Sequence, residues 1–463
     1  MATTSAPPGG DGEPPRQSGA HEKRAVSSSV GGANASRGRW RVYLGAFGPG
    51  IITGASDDDP SGIATYAQAG AQYGLSLLWT PLLTFPLMAA VQEICDRTAL
   101  ATGLGLGELA SRRFSKWGRG LVATLLVTLI VANTLNIAAD LVAIGSGMNL
   151  LHAGPTWLWA ALAGCLITVM LTKGTYSHIA RVFKVLAAAL LVYVVVAVQV
   201  THNWGRVLHA AVVPHIEFNK SYLILLVAIL GTTISPYEFF WQSANRLEEM
   251  RDEPEGGDEP IPLANKSRSS AALKVRTSRL DVFSGMAFSN VVMFAIIAAT
   301  AETLHAHGIV TINSAAQVAN SLRPIAGQFA SVFFALGFIG SGLLAVPVLA
   351  ASGSGGLAGL FGKNWGFSRS VRDAPIFYAL VGVGTIGGTA LSLVNVNPIK
   401  LLVFVAVING AIAAPLLAMV MLISGNRELM GDSVNKRLAH YVGWVTFVIM
   451  FAALITLIAS GGL

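Results

Sequence analysis

Two short stretches of the sequence place carboxylates, hydroxyls and a proline inside otherwise apolar runs. They are Ser56-Asp57-Asp58-Asp59-Pro60-Ser61-Gly62 and Gly231-Thr232-Thr233-Ile234-Ser235-Pro236. Proline has no N–H, so a proline within a helix leaves the carbonyl four residues earlier without its usual partner. The chemistry predicted at these breaks is cation binding by oxygen atoms. The candidate ligands are the Asp59 carboxylate, the freed carbonyls of Ser56 and Thr232, and the Ser235 hydroxyl.

A site built from oxygen alone favours hard cations such as Mg²⁺ and Mn²⁺ over zinc or copper. Of Asp57 and Asp58, one is expected to reach a hydrated ion through water and the other to line the vestibule, and Asp58 is the one counted with the metal site. Glu238 follows the second break and either holds the ion's outer shell or pairs with another cation. Two further alternatives stay open. Asp59 would also serve as a helix N-cap, and Ser235 would also bond back along its own helix.

The elements that position these residues are membrane helices. The 463 residues are 53% hydrophobic and 12% charged, which excludes an ordinary soluble globule. We expect an all-α polytopic membrane protein with eleven transmembrane helices. The apolar stretches fall at 42–73, 76–95, 120–148, 155–172, 185–201, 221–244, 282–301, 327–358, 374–394, 399–424 and 438–460.

The basic residues predict how these helices are oriented. With the N-terminus in the cytoplasm, 27 of the 31 Lys and Arg residues fall on the cytoplasmic side. The C-terminus is then extracytoplasmic, and the expected location is the plasma (cytoplasmic) membrane. The net charge of +7 is explained by topology, so nucleic acid is not expected as a partner.

The two breaks fall in the first and the sixth stretch, which are five apart. Five is an odd number, so halves made of stretches 1–5 and 6–10 would have opposite topology. Interrupted helices at matching positions of two halves indicate an inverted-repeat transporter with a site at the midplane. The predicted segments are a disordered tail 1–39, a first repeat 40–201, an external loop 202–220, a second repeat 221–424 with a cytoplasmic loop 246–281, and an eleventh helix within 425–463.

At these motifs the chain resembles the natural resistance-associated macrophage protein family of divalent-metal transporters, which have a leucine-transporter-like fold. The family signature Asp-Pro-Gly-Asn corresponds to Asp59-Pro60-Ser61-Gly62, and Gln68-Ala69-Gly70-Ala71 follows it. The sixth-helix pattern Ala-x-x-Met-Pro-His corresponds to Thr232–Tyr237. Further similarities are Gln92, Arg97, Thr102-Gly103 and Ala139-Asp140.

The departures from the family pattern shape the expected selectivity. The metal-binding Asp is retained as Asp59, but the coordinating Asn becomes Gly62 and the thioether Met becomes Ser235. Two histidines that the family links to proton movement become Tyr237 and Gln242. The chain therefore resembles the magnesium-transporting branch most, with a roomier site and no obvious proton symport.

Two more polar residues inside the apolar stretches are candidates for the ion pathway, Asp140 in the third and Asn409 in the tenth. A polar side chain within the membrane is costly and usually faces the interior of the bundle. For Asn409, a packing role is the alternative.

The expected function is alternating-access transport of divalent cations, Mg²⁺ first and Mn²⁺ next, without proton coupling. The alternatives are a proton-coupled Mn²⁺/Fe²⁺ symporter, a sodium-coupled organic-solute carrier and a non-transporting metal sensor. No enzyme is expected, because no span carries a phosphate-binding loop or a nucleophile triad. The expected partners are the metal ion, as substrate, and the lipid bilayer. Neither a cofactor nor an obligate protein partner is expected.

Overall fold

The computed structural model describes residues 49–173, 190–253, 259–320, 327, 330–394, 397–459 and 461. These ranges contain helices and connecting turns but no β-strand. The predicted tail 1–39 lies outside them. The first eight α-helices are α1 Pro49–Asp57, α2 Pro60–Tyr73, α3 Thr80–Thr102, α4 Leu106–Arg113, α5 Lys116–Leu150, α6 Thr156–Lys173, α7 Leu191–Val200 and α8 Trp204–Val212.

Nine further α-helices follow in the second part of the chain. They are α9 Lys220–Thr233, α10 Pro236–Asp252, α11 Arg268–Thr303, α12 Ala315–Asn320, α13 Ala330–Leu360, α14 Pro375–Ser392, α15 Pro398–Ser424, α16 Arg427–Met430 and α17 Arg437–Ala459. The prediction of an all-helical chain with interruptions in its first and sixth apolar stretches is confirmed.

Eight segments in the described ranges are long and apolar enough to cross a membrane. A ninth is obtained if the pair made of α2 with its following 3₁₀ turn and α3, bent by 111°, is one span. The predicted first and fifth stretches begin outside the described residues, and α7 covers only the end of the fifth. The number eleven therefore stays a prediction.

The helices extend beyond several predicted span limits. The sixth stretch was predicted to end at residue 244 and the seventh to begin at 282, yet α10 continues to Asp252 and α11 begins at Arg268. The connector predicted at 246–281 is therefore mostly helical. Ion pairs join the two projecting ends, because Lys274 on α11 lies 3.1 Å from Glu249 and 2.6 Å from Glu253. The predicted external loop 202–220 likewise contains α8.

The two interrupted spans pack half against half. The half-helix α1 contacts α10, and α2 contacts α9. Helices at matching positions of the two predicted repeats also contact one another, as in the pairs α3 with α11, α5 with α13 and α6 with α14. This packing brings both helix breaks to the middle of the bundle.

Glycines let two of these contacts form backbone against backbone. A Cβ at Gly54 on α1 would overlap the carbonyl oxygen of Gly285 on α11. A Cβ at Gly231 on α9 would overlap the backbone of Ala406 and Gly410 on α15. Both broken spans are therefore held against unbroken helices at distances that no larger residue allows.

Candidate metal site

The first break is closed by the side chain of Asp59. Helix α1 ends at Asp57 and α2 begins at Pro60, so that Asp59 is the N-cap of α2. Its Oδ1 accepts hydrogen bonds from the Gly62 backbone N–H at 2.7 Å and from the Ser61 hydroxyl at 2.6 Å. The capping role is thus present, and it leaves Oδ2 as the oxygen that can face a ligand.

The two preceding carboxylates turn toward helix α11. The Ser289 hydroxyl lies 2.5 Å from Asp57 Oδ2 and 3.2 Å from Asp58 Oδ1. Both aspartates are completely buried. The remaining oxygens, Asp57 Oδ1 and Asp58 Oδ2, have no hydroxyl, amide or N–H donor in the part of the chain that the structure describes. Each of these carboxylates therefore has one fixed oxygen and one available oxygen.

The second break is organised by hydroxyl groups. Helix α9 ends at Thr233 and α10 begins at Pro236. The Ser235 hydroxyl lies 2.8 Å from the Thr232 carbonyl and 3.0 Å from that of Gly231. In this conformation Ser235 thus bonds back along its own helix. The Thr232 carbonyl keeps a second lone pair, so the predicted ligand role of this group stays a prediction.

Hydroxyl groups also join the two breaks. The Thr232 and Ser61 hydroxyl oxygens are 3.5 Å apart. The Tyr237 hydroxyl, in the first turn of α10, donates to Asp59 Oδ2 over 3.3 Å. The predicted meeting of the two interrupted helices is therefore observed at the level of side chains.

Gly62 allows backbone and hydroxyl oxygens to converge closely, because it has no side chain. A Cβ at this position would lie 3.1 Å from the Asp57 carbonyl oxygen and 3.3 Å from the Thr232 hydroxyl oxygen. Any larger side chain would push against both atoms. Ser56, by contrast, directs its hydroxyl to the Thr53 carbonyl of α1 at 2.8 Å.

Glu238 stands beside Asp57 across the two half-helices. Gln92 of α3 donates to Glu238 Oε2 at 3.0 Å, while Oε1 has no hydroxyl, amide or N–H donor among the described residues. The Asp57 and Glu238 carboxyls are within hydrogen-bonding reach of each other. Close, fully buried carboxyls repel one another when both are ionised, and a bound cation removes that repulsion.

The two pathway candidates lie on neighbouring helices. Asp140 on α5 is fully buried, has no partner for either carboxylate oxygen and interacts electrostatically with Asp59. One helical turn earlier, Asn136 donates to Asn409 of α15 over 3.2 Å. Both candidates therefore lie in the interior of the bundle. Asp140 is the one that interacts with the first break.

A buried polar network ties α1 to α3, α10 and α11. Arg246 donates to Asp96 Oδ1 at 2.6 Å and lies 3.4 Å from Asp281 Oδ2. Asp281 also accepts from the Gly50 N–H at 2.8 Å, and Gln242 donates to Asp96 at 2.8 Å. These contacts help to keep the half-helix α1 packed against α10 and α11.

No three His, Cys, Asp or Glu side chains of the described residues are arranged to hold one metal ion together. An ion here would be held by one or two carboxylates, with hydroxyls, carbonyls and water completing its shell. The structure gathers at the paired breaks the predicted residues Asp58, Asp59, Gly62, Thr232, Ser235 and Glu238.

Several residues at the breaks were not selected as site residues from the sequence. Asp57 belongs to the same acidic run, where the sequence predicts a role through water or in the vestibule rather than a place in the metal site. Ser289 and Gln92 are ordinary polar residues of other helices, and neither their type nor their spacing marks them. Tyr66 has a fully buried hydroxyl without a partner, close enough to interact with all four carboxylates.

One family model and several known proteins match most of this chain. A family model described as natural resistance-associated macrophage protein-like matches residues 50–460. The divalent metal cation transporter MntH of Deinococcus radiodurans is 27% identical over 453 residues, which cover 95% of this chain and 94% of that protein. The MntH protein of Yersinia enterocolitica is 26% identical over 418 residues, 87% of this chain and 92% of its own.

Solved structures share the architecture at lower identity. The Eremococcus coleocola manganese transporter superposes with a TM-score of 0.70 at 16% identity, over 94% of this chain and 89% of that one. The nucleobase-cation-symport-1 family transporter Mhp1 superposes with a TM-score of 0.56 at 13% identity, over 90% and 92%. At these identities the likeness shows the fold, which is the leucine-transporter-like arrangement with two broken helices.

Proposed function

The chain belongs to the natural resistance-associated macrophage protein-like family, and from that premise we propose that it transports divalent metal cations across the membrane by alternating access. Mg²⁺ is the preferred substrate and Mn²⁺ the second. The ion binds between the two helix breaks, with Asp59 Oδ2 as its central ligand. Asp58 and Glu238 act through the ion's water, and Asp140 and Asn409 line its route.

The observation that carries the proposal is the oxygen-only chemistry of the paired breaks. The groups that converge there are carboxylates, hydroxyls and carbonyls, with neither a thioether nor an imidazole among the side chains described at the breaks. Soft ligands select softer transition metals, whereas Mg²⁺ and Mn²⁺ prefer oxygen. Mg²⁺ also keeps several waters, and Gly62 and Ser235 are smaller than the Asn and Met of the family pattern.

The proposal includes uptake without a coupled proton. Moving a dication inward across 100 mV gains about 4.6 kcal/mol, so the membrane potential alone can drive import. Tyr237 and Gln242, which stand where the family pattern has histidines, are already engaged with Asp59, Asp96 and Thr53. Their hydrogen bonds give them a positioning role at the breaks.

The relatives named as manganese or divalent metal cation transporters favour a second candidate, Mn²⁺ as the main substrate. One experiment separates the two. Purified protein is reconstituted in liposomes, and influx of Mg²⁺ and of Mn²⁺ is measured at a clamped membrane potential, with and without a pH gradient. The expected result is Mg²⁺ flux that is insensitive to the gradient and is abolished by Asp59→Ala. Flux of Mn²⁺ alone that vanishes when the gradient collapses would establish the second candidate instead.

A further inference from the structure

Among the described residues, three carboxylate oxygens at the breaks have no hydroxyl, amide or N–H donor, although the Asp57 and Glu238 carboxyls are within hydrogen-bonding reach of each other. The three oxygens are Asp57 Oδ1, Asp58 Oδ2 and Glu238 Oε1, and all three side chains are completely buried. Asp59 differs, because both of its oxygens accept hydrogen bonds. A buried, ionised carboxylate without a donor is strongly unfavourable unless it takes up a proton or a cation approaches it, and a divalent cation would satisfy several of these carboxylates at once. The unsatisfied negative charge is therefore centred on Asp57 and its neighbours rather than on Asp59.

The surrounding helices hold these carboxylates in place through their other oxygens. Ser289 of α11 fixes Asp57 and Asp58, and Gln92 of α3 fixes Glu238. Asp57 is the last residue of α1, and Glu238 lies in the first turn of α10. The last turn of a helix carries partial negative charge, which further favours a cation beside Asp57.

The Tyr66 hydroxyl is a separate observation that also points to a ligand. It comes from α2, is fully buried, interacts electrostatically with all four carboxylates and has no hydrogen-bond partner among the described residues. A buried tyrosine hydroxyl normally finds a hydrogen-bond partner in the protein. A water molecule of a hydrated ion would supply it.

The geometry points to a second cation subsite, on the α1–α10 side of Asp59, in which Asp57 and Glu238 hold one divalent ion that keeps most of its water. The inference rests on the proposed function, since it adds a second position along the same route. Two carboxylates with several waters are the usual protein ligands of Mg²⁺. An ion at this position would bind α1 to α10, so its arrival and departure would be coupled to the packing of the two half-helices.

Manganese ions provide a direct test, because they scatter X-rays anomalously. Crystals of the full chain are grown with Mn²⁺, both for the native protein and for Asp59→Ala. The expected result is an anomalous peak between Asp57 and Glu238 in both crystals. A peak beside Asp59 alone, lost in the variant, would overturn the second subsite and leave the proposed function standing. No peak in either crystal, with no flux in liposomes, would overturn both.

Binding measurements with Mn²⁺ test the shared role of the two carboxylates. Asp57→Asn and Glu238→Gln are each expected to weaken Mn²⁺ binding by about tenfold or more. The double variant should bind no more weakly than either single variant, because one lost carboxylate already disables the subsite. The inference would be contradicted if the double variant lost affinity by the product of the two single losses, or if both single variants bound Mn²⁺ as tightly as the native protein.

The matched control is Glu302→Gln. Glu302 is a carboxylate on α11 that lies 2.5 Å from Arg206; the Arg206 side chain is 62% exposed and that of Glu302 is 17% exposed. Its neutralisation should leave Mn²⁺ affinity unchanged. All variants are compared at equal monodispersity on size exclusion, and the native crystal decides the question without any variant.

Discussion

The Tyr237 hydroxyl donates a hydrogen bond to Asp59 Oδ2 across 3.3 Å, and this contact joins one helix break to the other. It also occupies the only Asp59 oxygen that the N-cap leaves available, since Oδ1 accepts from Ser61 and Gly62. An ion that binds Asp59 must therefore compete with the hydroxyl. The contact explains how the site keeps Asp59 satisfied when no ion is bound.

Tyr237→Phe is expected to tighten Mn²⁺ binding. Without the hydroxyl, Asp59 Oδ2 is buried and unpaired in the ion-free protein, which costs about 1–3 kcal/mol and is recovered when an ion binds. The Kd for Mn²⁺ should fall by roughly tenfold for each 1.4 kcal/mol. Titration calorimetry measures this Kd. In melting curves, the variant should be less stable than the native protein only when no metal is added.

The control for this variant is Tyr193→Phe, which removes a buried hydroxyl that has no hydrogen-bond partner. It should change neither Mn²⁺ affinity nor the metal-induced shift in melting temperature. Weaker Mn²⁺ binding by the Tyr237 variant would show that the hydroxyl is itself a ligand.

Ser289→Ala is expected to weaken Mn²⁺ binding by about tenfold, because it removes the donor that orients two carboxylates. The hydroxyl serves both Asp57 and Asp58, so neither would keep its fixed oxygen. Ser284→Ala is the control on the same helix, since that hydroxyl donates only to the Leu280 carbonyl. Equal affinities for the two variants, measured by calorimetry, would refute the orienting role.

Much of the fold follows from the sequence because the two prolines fix where helices stop. Pro60 and Pro236 predict breaks, and in the structure each break covers the two residues before the proline, 58–59 and 234–235. The long apolar runs predict all-helical membrane architecture, which is confirmed. The alternative of Asp59 as an N-cap also follows from local sequence, because the Gly62 N–H it binds is only three residues away.

The partners of the carboxylates could not be predicted in the same way. Ser289 lies more than two hundred residues from Asp57, and Gln92 lies on a helix that approaches Glu238 only through packing. Hydropathy also ended the sixth stretch before the helix ends and began the seventh after the helix begins, because it treats charged residues as loop. In the structure, ion pairs such as Lys274 with Glu253 stabilise helix beyond the apolar run.

Ser235→Met is expected to shift transport toward Mn²⁺ relative to Mg²⁺. The thioether is a soft ligand, and methionine also removes the hydroxyl that occupies the Gly231 and Thr232 carbonyls. Competition flux in liposomes gives the ratio of the two ions directly. Thr233→Val, which removes a neighbouring hydroxyl bonded to the Ile229 carbonyl, should leave the ratio unchanged. An unchanged ratio for Ser235→Met would place this residue outside the ion's surroundings.

Gly54→Ala is expected to displace α1 from α11 and to reduce flux of both metal ions. The added Cβ would overlap the Gly285 carbonyl oxygen, and backbone on both sides leaves no flexible group to move. Gly120→Ala on α5 is the matched control, because a Cβ there meets nothing within 4 Å. That substitution should be neutral or stabilise by up to about 1 kcal/mol. A Gly54 variant with native flux and native melting temperature would show that α1 does not stay against α11 during transport.

Arg246→Gln is expected to release α1 at a large cost in stability. The Arg246 side chain is 2% exposed and is shared by two buried carboxylates, Asp96 and Asp281. Removing one partner from a buried ion pair costs about 3–5 kcal/mol, because the remaining charges stay buried without compensation. Arg279→Gln is the control, since its side chain is 45% exposed beside Glu93 and its loss should cost below about 1 kcal/mol. Chemical denaturation in mixed micelles measures both. Asp281 also accepts from the Gly50 N–H, so loss of Arg246 should loosen α1 as well. A cysteine introduced on α1 should therefore react faster with a thiol label in the Arg246 variant than in the Arg279 variant. Equal labelling rates in the two variants would show that this network does not hold α1 in place.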